Sequence, residues 1–87
     1  MSHHMVITFE ESTLGRRYRA VIEYEDGCVL TDTLTLPPHD MEISGRPRMA
    51  VTWSFKCSFR RELGAEVDQL VEDAAEALLE AYPGAFG

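Results

Sequence analysis

Residues Met49–Phe59 read MAVTWSFKCSF, and the fold turns on how this stretch is taken. Its apolar residues alternate. Met49, Val51, Trp53, Phe55, Cys57 and Phe59 fall on one side at period two, with Ala50, Thr52, Ser54, Lys56 and Ser58 on the other. Alternation in a run rich in aromatic and β-branched residues is the strand signature. The reading is therefore a half-buried strand with Trp53 and Cys57 facing the core.

Upstream, the pattern is of the same kind. MVITFEE reads as a short strand with Ile7 and Phe9 on one face, and STLG as a turn. RYRAVIEYE places Tyr18, Ala20, Ile22 and Tyr24 opposite Arg17, Arg19, Val21 and Glu23. CVLTDTLTL places Cys28, Leu30, Leu34 and Leu36 opposite Val29, Thr31, Thr33 and Thr35. The hairpin between the last two can be set by register. A two-residue Asp26-Gly27 turn would put Tyr24 on the face of Val29 and split the apolar sets. A three-residue loop, Glu25-Asp26-Gly27, pairs Tyr24 with Cys28 and Ile22 with Leu30, and Gly27 suits the left-handed position that such a loop needs. This register sets Asp32 on the inner face opposite Ala20, where it is expected either to lie beyond the helix cover or to hydrogen-bond a tyrosine or the Trp53 indole.

Downstream the period changes. Val67, Leu70, Val71, Ala74, Ala75, Leu78, Leu79 and Tyr82 cover one half of a helical projection, and Pro83-Gly84 ends the helix. Its start falls somewhere from Arg61 to Ala65. The expected fold is α+β, a two-layer domain in ββββα order, with a four-stranded antiparallel sheet and one C-terminal amphipathic helix packed on one face. Residues 1–87 form a single domain, with a long loop at 37–48 and a tail at 83–87. The MSHHM opening reads as a cloning remnant, so residues 1–4, including His3 and His4, are set aside from site reasoning.

The chain has 87 residues, enough for one small core, and 45% hydrophobic content argues against disorder. No apolar run approaches the ~20 residues of a membrane span, and no apolar leader precedes the first strand. A cytoplasmic protein is expected, with Cys28 and Cys57 as buried small hydrophobes rather than a disulfide or redox pair.

The net charge of −7 is unevenly placed. Residues 1–61 hold eight basic and eight acidic groups, whereas residues 62–87 hold seven acidic and none basic. On a helix, Glu62, Glu66, Asp73, Glu76 and Glu80 fall within roughly 80° of arc opposite the apolar face, with Asp68 and Glu72 on its flank. The line from Glu62 to Glu80 would run about 27 Å, losing Glu62 if Gly64 breaks the helix. Acidic pairs at i,i+4 (Glu62/Glu66, Asp68/Glu72, Glu72/Glu76, Glu76/Glu80) each cost ~0.2–0.5 kcal/mol. A helix shaped for stability alone would mix in lysines.

Three function classes follow. The first is a non-enzymatic acidic binding protein or inhibitor, docking a basic partner protein through Glu62, Glu66, Asp68, Glu72, Asp73, Glu76 and Glu80. By size and charge such a protein sits with phage anti-defence, anti-CRISPR, antitoxin and immunity proteins, and the basic partner could itself bind nucleic acid. Direct nucleic-acid binding by this chain is not expected, since that needs a basic footprint. The second is an assembly module, a homodimer formed through the open sheet face or by an exposed edge strand pairing with its mate. The third is a small enzyme using Asp32 and the 37–48 loop, whose candidates are His39, Asp40, Arg46 and Arg48. His39-Asp40 has no third ligand or base in view, so no metal, cofactor or catalytic residue is assigned.

Overall fold

The computed structural model describes residues 3–87. Three antiparallel strands, β1 (His4–Ser12), β2 (Gly15–Glu23) and β3 (Val29–Leu36), form a sheet in the order β1-β2-β3. A four-residue turn of helix, α1 (Pro38–Met41), leads to α2 (Arg46–Leu63) and α3 (Glu66–Ala81). Both long helices cover one sheet face, α3 over β1 and α2 over β3, and they pack against each other.

The alternation read upstream of residue 37 holds, apart from Cys28, which is exposed. Tyr18, Ala20 and Ile22 are fully buried, while Arg17, Arg19 and Glu23 face water. Ile22 pairs with Leu30 and Ala20 with Asp32, as the three-residue loop requires. The loop is closed by the Tyr24 N–H donating to the Cys28 carbonyl at 3.0 Å, and Gly27 adopts φ +90°. At the other hairpin, Gly15 combines φ +130° with a close approach. A Cβ there would lie 1.9 Å from the Leu36 carbonyl oxygen, so no side chain fits without moving β3.

The stretch that decides the fold is helical. Residues 49–59 lie inside α2, so the sheet has three strands, not four, and two helices follow it. Val51, Phe55, Phe59 and Leu63 recur every four residues and are all buried. Met49, Trp53 and Cys57 also recur every four residues, but two positions out of step, about 200° round the helix from the buried stripe, and all three are exposed. Trp53 is 69% exposed. The helix is set by its ends and its length: Pro47 in the first turn, Arg60 and Arg61 in the last, and Gly64 at the C-cap with φ +63°. The strand propensity of 49–59 yields to burial of that stripe, as context commonly overrides β preference. Likewise the 37–48 segment is mostly helix, comprising α1 and the start of α2.

α3 starts at Glu66, so Gly64 interrupts the helix and Glu62 belongs to α2. Val67, Val71, Ala74, Ala75 and Leu78 are buried, Leu70 and Leu79 half-buried, and Tyr82 exposed. The five residues after Tyr82 fold back under the sheet. Ala85 is fully buried, Phe86 stacks on Tyr18 at 5.5 Å, and the Tyr18 hydroxyl donates to the Ala85 carbonyl at 2.6 Å. The Arg16 guanidinium lies 4.6 Å over the Phe9 ring, donates to the Gly84 carbonyl at 2.8 Å and pairs with Glu11. Burial lowers the pKa of Arg16 but is outweighed by Glu11 and Tyr18, leaving it raised.

Candidate functional site

The acidic residues occupy two rows with different surroundings. Toward α2, three of them meet cations across the helix–helix seam. Arg60 reaches Asp68 at 2.9 Å, Lys56 reaches Glu72 at 2.7 Å, and Arg48 lies 3.7 Å from Glu72 and 3.3 Å from Glu76. Reading residues 49–59 as a strand hid this pairing. As a helix, α2 carries five basic residues (Arg46, Arg48, Lys56, Arg60, Arg61) and one acid, beside an α3 with six acids and no base. Arg48, a loop candidate from the sequence, bridges the like-charged Glu72/Glu76 pair and offsets its repulsion.

Glu66, Asp73 and Glu80 form the other row. Seven residues apart in each step, they share the solvent side of α3, where successive members lie about 10.5 Å apart. Asp73 accepts a bond from the Gln69 amide at 2.8 Å, and Glu66 is 2.7 Å from His3 Nε2, an ion pair when that imidazole is protonated. Among the described residues, no lysine or arginine pairs with this row. Glu62, on the last turn of α2, stands outside it.

Between this row and the sheet runs a groove of about 620 Å³. Its floor is residues 4–9 of β1 and its wall is the Leu70, Ala74, Ala77, Leu78, Ala81 and Tyr82 side of α3, with Asp73 at its lip. Alanines at 74, 77 and 81 keep the wall low.

The remaining candidates do not converge. His39 is exposed on α1 and no side chain caps that helix. Asp40 is half-buried and Arg46 exposed at the start of α2. Asp32 accepts a hydrogen bond from Ser58 at 2.6 Å, so its partner comes from α2 and is neither a tyrosine nor Trp53. That pair borders a small hollow with Leu30, Thr31, Phe59 and Glu62. Among the described residues, no three His, Cys, Asp or Glu side chains gather as a metal site.

Both cysteines are exposed free thiols, not core residues. Asp26 accepts the Cys28 backbone N–H at 2.9 Å, which lowers its own pKa. Its carboxylate in turn holds the Cys28 thiol above its ordinary value, through a hydrogen bond and through charge.

No protein-family model, curated protein or solved structure matches this chain. Among the described residues, no helix is long and apolar enough to cross a membrane.

Proposed function

We propose that this is a non-enzymatic acidic binding protein that docks a basic partner protein, as an inhibitor of anti-defence, antitoxin or immunity type would. The observation that supports it is the division of the α3 acids. Asp68, Glu72 and Glu76 are compensated by α2, whereas among the described residues Glu66, Asp73 and Glu80 pair with no lysine or arginine, Glu66 meeting only His3. The docking surface proposed from the sequence thereby narrows to these three, with Glu62 as an outlier. Such charges chiefly raise association rate and selectivity. Exposed thiols at Cys28 and Cys57 favour a reducing, cytoplasmic setting.

The homodimer alternative is less favoured. The residues expected to extend the open face, Ala50, Thr52, Ser54 and Ser58, lie on α2 instead. Its centre is held by the exposed Arg17 and Arg19, which would meet like charges across a two-fold axis.

Capture on the immobilised protein, followed by titration of each purified captured species, tests the proposal. One basic protein should bind saturably, more weakly as salt rises, and lose binding to the Glu66→Lys/Asp73→Lys/Glu80→Lys variant. Equal affinity for both proteins at low and high salt overturns it.

A further inference from the structure

We infer that the partner enters as an extended segment that adds to the open edge of β1, with its inward side chains in the groove beneath α3. This rests on the docking reading above and adds to it the form of the ligand.

β1 is an outer strand of the sheet, and an outer strand presents alternate N–H and C=O groups with no partner. Proteins usually blunt such an edge with proline, lysine, a bulge or a covering element. Residues 4–9, HMVITF, contain no proline and no lysine, and they pair with β2 in unbroken register. Val6 on this strand is 46% exposed. The edge is regular, apolar and bordered by a groove where a covering element would sit.

The groove selects the occupant's shape. Six residues of β1 span about 20 Å, room for an added strand of similar length. The low wall at Ala74, Ala77 and Ala81 gives inward side chains space. A helix in the same place would satisfy none of the edge groups, because its own backbone is already paired.

The acid row selects the occupant's charge. In an extended chain, residues four apart lie about 13 Å from each other on the same face. Glu66, Asp73 and Glu80 are spaced about 10.5 Å along α3. Three lysines or arginines at four-residue intervals, with apolar residues between them on the same face, can lay their stems along the groove and reach all three acids. A second copy is disfavoured. Antiparallel β1–β1 pairing would bring two α3 helices together, each with six acids and no base.

Three labelled nonapeptides test this by anisotropy titration and by amide exchange of the protein. KTVTKTVTK presents lysine, valine, lysine, valine, lysine on one face; KTSTKTSTK keeps the charge and removes the apolar groups; ETVTETVTE reverses the charge. The expected result is saturable binding of the first, at least tenfold weaker binding of the other two, and slowed exchange confined to β1 and the facing side of α3. Ala77→Trp, which fills the groove from an exposed position, should weaken the first peptide at least tenfold. Equal binding of the lysine–serine peptide, without protection of β1, overturns strand addition and leaves the acid row standing as the docking surface. Equal binding of the glutamate peptide with β1 protected overturns the basic partner and leaves the groove. No binding of any peptide up to about 1 mM overturns the inference. So does self-association of the protein alone that protects β1.

Discussion

A pair of substitutions two residues apart gives the most direct test of the architecture. If residues 49–59 formed a strand, Trp53 and Phe55 would share one face and truncating either would damage the core. In the helix they point apart: Phe55 is 0% exposed and Trp53 69% exposed. Phe55→Ala removes a ring packed beside Phe59 at 6.4 Å, and a fully buried phenylalanine costs about 3–5 kcal/mol on truncation. A chain of this length has about 4–13 kcal/mol in all, so the variant can fall below the folding threshold. Phe55→Leu, costing about 1–2 kcal/mol, keeps the comparison measurable. Trp53→Ala should change stability by less than about 0.5 kcal/mol, as for most exposed positions. Urea unfolding followed by far-ultraviolet circular dichroism reads all three; each kcal/mol also moves the melting temperature by about 4–8 °C. Native tryptophan emission should be that of a water-exposed indole. A Trp53→Ala loss equal to that of Phe55→Leu would refute the helix.

Other consequences can be checked separately. Asp26→Asn should speed labelling of Cys28 by a thiol reagent near neutral pH, because the carboxylate that keeps the thiol protonated is gone; an unchanged rate for Cys28 sinks the argument. Burial raises the Tyr18 pKa, opposed by Arg16, so the folded value exceeds the unfolded one. Its contribution to stability is full below the unfolded value of ~10 and falls as pH rises through the folded value. Tyr18→Phe should flatten that alkaline loss, at a cost of about 0.5–1.5 kcal/mol for the bond to Ala85. Unfolding curves at stepped pH measure both effects. Arg48→Ala should expose the Glu72/Glu76 repulsion and destabilise by up to about 1 kcal/mol at low salt, less at high salt; a loss independent of salt would assign Arg48 a packing role instead.

How far the fold was legible depended on whether a segment's periods compete. β2 and β3 have one apolar pattern each, and the face rule together with Gly27 fixed both turn length and pairing. α3 likewise has one pattern, and Gly64 was visible as its possible break. In 49–59 both sets, Val51/Phe55/Phe59 and Met49/Trp53/Cys57, recur every four residues; a strand puts them on one face and a helix on opposite faces, and only the first set is buried. Hydrophobicity cannot separate a buried from an exposed tryptophan. The four-residue stripe running on to Leu63, with Pro47 before it and Gly64 after, was the available signal, and it required a window longer than the strand-like stretch itself.

The candidate site failed to be legible for a connected reason. A helical wheel of α3 alone puts Glu66, Asp73, Glu76 and Glu80 in one band, because it measures direction from the helix's own axis. Neighbours decide which members of the band remain uncompensated. Once α2 is a helix, Arg48, Lys56 and Arg60 lie along the seam and draw Asp68, Glu72 and Glu76 into ion pairs. The like-charge pairs that made α3 look poorly shaped for stability are in part the acidic half of a helix–helix contact, so their cost is not by itself an argument for function. The groove escaped notice altogether, since it exists only where α3 meets β1 and no periodicity marks it. Its one trace in the sequence is the small-residue series Ala74, Ala77 and Ala81 on the α3 face that meets an outer strand free of proline and lysine.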